Sequence, residues 1–286
     1  MSYLNAIILG LVQGIAEFLP ISSSGHLSIA QNLFGLSTEG TNDMLFDVLL
    51  HLGTLMAVFV AYWTEIREMI VEFFNMVGDV AKGKKQKSVP PARRLIAMIL
   101  IGTLPLFAIL PIKDFVGGLS QNTYFIGGAL LVTGFLLVAC DRVRKGKKNE
   151  GTATMKDALL VGIGQAIATC PGISRSGMTI TMGCFCGFER KFAVRFAFLL
   201  SIPAVVGANI LEIADALGNG INPALLPMYG VGVVVAAVSG YLCIRLLKMI
   251  AEKGKFGAFS YYCWAMGVVT IVLSALKTIG VLPWLN

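Results

Sequence analysis

Gly10-Leu-Val-Gln13-Gly-Ile15-Ala16-Glu17-Phe-Leu-Pro20-Ile21-Ser22-Ser23-Ser24-Gly25 and Gly162-Ile-Gly-Gln165-Ala-Ile167-Ala168-Thr169-Cys-Pro171-Gly-Ile173-Ser174-Arg175-Ser176-Gly177 align without a gap at a constant offset of 152. Eight of the sixteen positions are identical, and they include Gln, Ser and Gly as well as Ile and Ala. Unrelated apolar helices match at Leu, Val and Ile but not at polar positions in register, so the chain reads as an internal duplication. Both copies run an apolar helix too short to cross a bilayer comfortably into a Pro and a Ser/Gly-rich break, then begin a second short apolar stretch. Pro and Gly end helices, and Ser22 and Ser174 stand where an N-cap starts the next one. Irregular backbone at membrane depth is tolerated only where it is buried in protein or lines a wet cavity. Segments 4–36 and 156–187 are therefore expected to be re-entrant helical hairpins.

The rest of the chain supports a membrane setting. Of 286 residues, 56% are hydrophobic and 14% charged, with mean hydropathy +0.78, whereas a soluble domain carries about 25% charged residues. A helix needs about 20 apolar residues to cross a bilayer. Three such spans are expected after each hairpin: about 44–72, 92–115 and 121–143, then 190–213, 223–247 and 257–280. The fold class is thus an all-α polytopic membrane protein, one integral domain over 1–286, with a first repeat at 1–143 and a second at 155–286. An odd number of crossings between the copies inverts one relative to the other, which places a site near the midplane where the hairpin tips meet.

The net charge of +7 invites a nucleic-acid reading, but the basic residues form no stripe interleaved with aromatics. They cluster in three short loops, Lys82 to Arg94, Arg142 to Lys148 and Lys248 to Lys255, as the positive-inside rule places them at the cytoplasm. Both termini and the first hairpin should then open to the outside. The chain enters an apolar run directly after Asn5, so no cleaved signal peptide is expected. Six cysteines lie in or beside apolar segments, and with two histidines in the chain a Cys/His zinc site is not expected.

Ionisable residues inside membrane segments are costly and mark function by default. Glu17 precedes the first break, His26 follows it, and Arg175 occupies the matching break in the second copy. Arg175, with Ser174, Ser176 and Gly177 at a half-helix start, suits a phosphate: helix N-termini bind anions and guanidinium adds a bidentate fork. Ser22, Ser23, Ser24 and Gly25 form a second cradle, matching the two phosphates of a pyrophosphate. A plain ion pair between Arg175 and Glu17 is the competing reading, but it leaves the duplicated Ser/Gly loops unexplained. Gln13 and Glu17 share a helical face, so Glu17 is either a general base or, with Gln13, a ligand for a hard divalent cation. His26 is a candidate nucleophile or proton donor to the leaving group, and Ser23 and water are the other candidate nucleophiles. In the second copy Thr169 replaces Glu17 and Met178 replaces His26, so acid–base chemistry belongs to the first hairpin. His51, on an otherwise apolar face, reads as a buried packing or hydrogen-bonding residue.

Gln13-Gly-Ile-Ala-Glu17-Phe-Leu-Pro20-Ile-Ser-Ser-Ser-Gly-His26 and Pro171-Gly-Ile-Ser-Arg175-Ser-Gly-Met-Thr179 together resemble the undecaprenyl-diphosphate phosphatase family linked to bacitracin resistance. That family carries an (E/Q)xxxE motif, an SSxGH stretch and a PGxSRSxxT motif, all present here in order. The resemblance implies hydrolysis of undecaprenyl diphosphate to the monophosphate and inorganic phosphate, assisted by Mg2+ or Ca2+. It implies a site open to the periplasmic or outer side of the bacterial cell membrane, and recycling of a lipid carrier for peptidoglycan. Carried over residue by residue, it implicates Gln13, Glu17, Ser22, Ser23, His26, Ser174, Arg175, Ser176 and Thr179. The first acidic position is Gln13 here, which shifts acid–base work to Glu17 and His26. The expected partners are the polyprenyl diphosphate and the bilayer, with no nucleic acid and the oligomeric state left open. A lipid-phosphate transporter is the rival, since inverted repeats of broken helices also build transporters.

Overall fold

The computed structural model describes residues 2–36, 41–82, 89–219, 223–253 and 255–281, so Lys84, Lys85 and Lys87 of the first basic loop and the final residues lie outside it. The described residues form helices joined by short turns, with one isolated bridge between Lys148 and Phe188. Helix α1 spans Tyr3–Phe18 and α2 spans Ser23–Phe34. At 16 and 12 residues they are about 24 and 18 Å long, short of the ~30 Å hydrocarbon core. They pack against each other as the first hairpin. Ser22 caps α2, its hydroxyl accepting the Gly25 N–H at 3.2 Å, and adopts φ 74° to do so.

The chain continues through α3 (Thr41–Ala61), α4 (Trp63–Ala81), α5 (Pro91–Thr103), the single turn α6 (Lys113–Gly118) and α7 (Thr123–Arg142). The second hairpin is α8 (Met155–Ile167) with α9 (Arg175–Phe185), followed by α10 (Arg190–Asn219), α11 (Leu226–Lys253) and α12 (Ala258–Thr278). Its local devices repeat those of the first at the sequence offset. Ser174 caps α9 by accepting the Gly177 N–H at 3.1 Å. Thr154 and Asp157 start α8 as a reciprocal capping box.

One expected span is corrected and another, which stands as a span within Pro91–Gln121, is refined in its helix type. Residues 44–72 are not one helix: the chain breaks at Tyr62 and turns by 85° between Leu45–Ala61 and Trp63–Asp79. Neither Pro nor Gly causes the bend. Lys248 of α11 donates to the Ala61 carbonyl at 3.0 Å and lies 3.7 Å over the Tyr62 ring, satisfying the end of α3. Helix α4 then carries Glu72 and Asp79 against α5, where Arg93 bonds them at 2.7 and 2.8 Å. Within residues 92–115 the α-helix stops at Thr103 and resumes at Lys113, because Pro105 and Pro111 lack the N–H a helix needs and the chain tightens into 3-10 turns there. Five helical stretches among the described residues are long and apolar enough to cross a membrane, and the bent α3–α4 pair makes a sixth when taken as one span.

Burial is arranged for lipid. Ile7, Leu11 and Ile15 form an exposed apolar stripe on α1, and Leu159, Ile163 and Ile167 repeat it on α8 at the same offset. Gln13 and Gln165 face inward and are fully buried. A water-soluble helix has the opposite pattern. With no hydrophobic drive between helices in lipid, small residues allow close packing. A Cβ on Gly10 would lie 2.6 Å from the Gly232 carbonyl oxygen of α11, and one on its counterpart Gly162 only 2.2 Å from that of Gly102 in α5. So α1 packs along α11 as α8 packs along α5, while α3 packs on α10 and α7 on α12.

Candidate active site

The two hairpin tips touch. Ser24 accepts the Gly172 N–H at 3.4 Å, and the Ser176 hydroxyl donates to the Leu19 carbonyl at 3.3 Å. Thr133 of α7 braces the second tip, donating to the Gly172 carbonyl at 3.2 Å and accepting the Ser174 N–H at 3.1 Å. Gly172 has φ 89°, a backbone state glycine adopts freely. This contact brings the last turn of α1 against the first turns of α2 and α9.

Glu17 is the hub. Its Oε2 accepts the Ser23 hydroxyl at 2.6 Å and the Gln13 amide at 3.2 Å, while Arg175 lies 3.2 Å from Oε1. The carboxylate side chain is 9% exposed and the guanidinium 28%, so the acid is enclosed and the fork is partly open. A carboxylate buried at this depth is tolerable only when paired and hydrogen-bonded. The ion pair weighed as a competing reading is thus present, and it coexists with the Ser23 contact. The first-turn N–H groups of Ser23 and Ser24 precede the ladder of α2, and those of Arg175 and Ser176 precede that of α9, so two helix starts present donors at the same junction.

Other implicated residues are placed differently. Ser22, Ser174, Ser176 and Thr179 are buried. The Ser22 and Ser174 hydroxyls cap helices, Ser176 ties the tips together, and Thr179 donates to the Arg175 carbonyl at 2.8 Å. Gly25 and Gly177 give their N–H groups to those caps. Ser24 is exposed at the tip. His26 turns toward α12: Nδ1 lies 2.7 Å from the Ser22 carbonyl oxygen and Nε2 2.7 Å from the Tyr262 hydroxyl.

His51, read as a packing or hydrogen-bonding residue, does hydrogen-bond, and it also stands beside the site. Its Nδ1 bonds the Asp47 carbonyl at 2.8 Å, and its Nε2 stands 3.8 Å from Glu17 Oε2. Its approach to Glu17 is not legible in the sequence, because its neighbours are apolar and Glu17 lies 34 residues away, across a helix interface. Tyr262 and Thr133 were likewise missed, since each meets the site only through tertiary contact.

For a hard cation the donors are the Glu17 carboxylate and Gln13 Oε1, which is buried without a partner. Among the described residues no three His, Cys, Asp or Glu converge as a protein-only metal cage. These donors would suit a hard cation such as Mg2+ or Ca2+, since Mg2+ is commonly held by one or two carboxylates plus phosphates.

Comparison with known proteins identifies the family. The model of the family described as "Bacitracin resistance protein BacA" matches residues 6–269. An "Undecaprenyl-diphosphatase" of Alkaliphilus metalliredigens is 40% identical over 277 residues, covering 96% of this chain and all of the relative. One from Methanosphaera stadtmanae is 39% identical over 96% of this chain and 99% of its own length. An "Undecaprenyl-diphosphatase 4" of Bacillus thuringiensis subsp. konkukian is 37% identical over 96% and 98%. The model's match across most of the length, together with identities of this size, leaves one assignment: the chain belongs to the bacitracin resistance protein BacA family.

Proposed function

We propose that this chain is an undecaprenyl-diphosphatase: it hydrolyses undecaprenyl diphosphate to undecaprenyl phosphate and inorganic phosphate. The observation that carries the mechanism is Ser23 Oγ at 2.6 Å from Glu17 Oε2, with Arg175 on the other oxygen. Ser23 attacks the terminal phosphorus as Glu17 takes its proton. The bond to the bridging oxygen breaks, and the lipid monophosphate leaves with that oxygen. Water then attacks the phosphoserine, releasing phosphate and returning the proton to Ser23. Arg175 forks onto equatorial oxygens, where charge accumulates, and the helix starts of α2 and α9 add N–H donors.

Glu17 with Gln13 Oε1 would hold a divalent cation, Mg2+ or Ca2+, which when bound neutralises pyrophosphate charge. The polyprenyl tail lies in lipid against the outer faces of the helices. The site opens to the outer side of the cell membrane, as the positive-inside arrangement of the basic loops favours. The reaction returns the carrier to peptidoglycan synthesis, and this regeneration underlies bacitracin resistance.

Rapid quenching with substrate labelled in its terminal phosphate tests the mechanism. Label on Ser23 within the first turnover is the expected result. Label on His26, or turnover with no labelled protein, contradicts it. Chelation by EDTA should suppress phosphate release and Mg2+ or Ca2+ restore it; full activity in EDTA removes the cation from the account.

A further inference from the structure

The mechanism uses Ser23 but does not explain what holds it on Glu17. Ser23 follows Ser22, whose φ of 74° is the only positive value at a non-glycine among the described residues. A left-handed conformation strains a residue with a Cβ and persists only where surroundings over-determine it. Two contacts to Ser22 come from His26: its backbone N–H donates to the Ser22 carbonyl at 3.2 Å, and its ring Nδ1 lies 2.7 Å from the same oxygen. A carbonyl oxygen only accepts, so Nδ1 carries the proton. In the neutral ring Nε2 is then the acceptor, and the Tyr262 hydroxyl donates to it across 2.7 Å. The two rings lie nearly parallel, 9° apart with centroids at 5.6 Å.

We infer that Tyr262 is a positioning residue: it fixes the His26 ring with its proton on Nδ1, so that His26 holds the Ser22–Ser23 peptide and keeps the Ser23 hydroxyl on Glu17. The clamp crosses 236 positions of sequence and joins α12 to the tip of the first hairpin. That tip has a second anchor on α12, since Cys263 Sγ lies 3.7 Å from the Pro20 carbonyl oxygen. With Pro20 fixed from one side and the Ser22 carbonyl from the other, the intervening turn has little freedom. The ring is held at both nitrogens, which suits a group that orients the nucleophile rather than one that attacks. The inference rests on Ser23 being the reacting hydroxyl, but its central element, the state of the His26 ring, is observable without turnover.

The test is Tyr262→Phe in the full-length protein in detergent, with Tyr262→Leu beside it, read by kinetics and by nitrogen NMR of labelled histidine. The chain has only two histidines, so the spectrum of His26→Gln assigns both. Wild type should show His26 protonated on Nδ1, with Nε2 accepting a hydrogen bond. Tyr262→Phe keeps the stacked ring and loses only the hydroxyl. It should shift the Nε2 signal and lower kcat by about tenfold, the scale of one lost hydrogen bond, with KM within about twofold. Tyr262→Leu should fall at least as far. Wild-type kcat in Tyr262→Phe overturns the inference, as does a rise in KM alone, which would put the hydroxyl on the substrate. A wild-type spectrum with the proton on Nε2 also overturns it, whether or not either variant folds. If instead the NMR result holds while Ser23→Ala remains active, the clamp stands and the serine mechanism is what fails.

Discussion

Glu17 serves Ser23, Gln13 and Arg175 at once, and that defines what a substitution there should do. Glu17→Gln keeps the shape and removes the charge that Arg175 neutralises at 3.2 Å and that Ser23 donates to at 2.6 Å. We predict loss of turnover with folding intact. Retention of more than about a tenth of wild-type activity, a barrier change under ~1.4 kcal/mol, would remove Glu17 from the chemical step. Arg175→Lys should be nearly as damaging as Arg175→Ala, because lysine keeps the charge and loses the fork. Substantial activity in the lysine variant would make Arg175 a simple counter-charge. Glu17, Ser23 and Arg175 were legible in the sequence because an acid and a base at corresponding breaks of a duplication have few structural uses. His51 was not, because what distinguishes it is 3.8 Å to a side chain on another helix.

At the scale of elements, the hairpins were readable and the elbow was not. Pro20, Pro171 and the serines state where each hairpin turns, and the caps at Ser22 and Ser174 form as expected. The break at Tyr62 has no such residue. What meets the break is Lys248, 187 positions away, which donates to the Ala61 carbonyl at the end of α3. The prolines at 105 and 111 tighten the chain into 3-10 turns inside the span expected for 92–115 without ending it, since Pro91–Gln121 remains long and apolar enough to cross. Tip bracing gives a stability test: Thr133→Val removes both of that hydroxyl's bonds to the second tip in a buried setting. It should cost on the order of 1–3 kcal/mol and lower the Tm in detergent by several degrees. An unchanged Tm would mean that the tip is held without α7. The close pair at Gly162 and Gly102 gives a sharper one. A Cβ 2.2 Å from a carbonyl oxygen has no room, so Gly162→Leu should separate α8 from α5 and abolish folded yield, whereas Gly128→Leu, where nothing lies nearby, should be tolerated.

For the whole molecule, the claim that exceeds any single contact is that two copies of one hairpin-plus-three-spans unit face each other in opposite senses. Paired packing of α1 with α11 and α8 with α5, and of α7 with α12, is what such a pseudo-twofold would produce. The shared outward stripes of α1 and α8 fit it as well. The inversion predicts sidedness. Single cysteines at Lys147 and Lys255, in a background without the native six, should resist an impermeant maleimide in intact cells, while cysteines at Ser2 and Gln121 should react. Labelling at Lys147 without Lys255 would break the span count and the inversion with it. Both hairpins then converge on one reaction, and the direct measurement of that reaction is inorganic phosphate released from undecaprenyl diphosphate by the purified protein in detergent, where no second compartment exists for transport. Wild type should release phosphate and undecaprenyl phosphate in equal amounts, and Glu17→Gln and Ser23→Ala none above background. Absence of release by folded wild-type protein supplied with Mg2+ or Ca2+, or equal release by the Glu17→Gln variant, would contradict it.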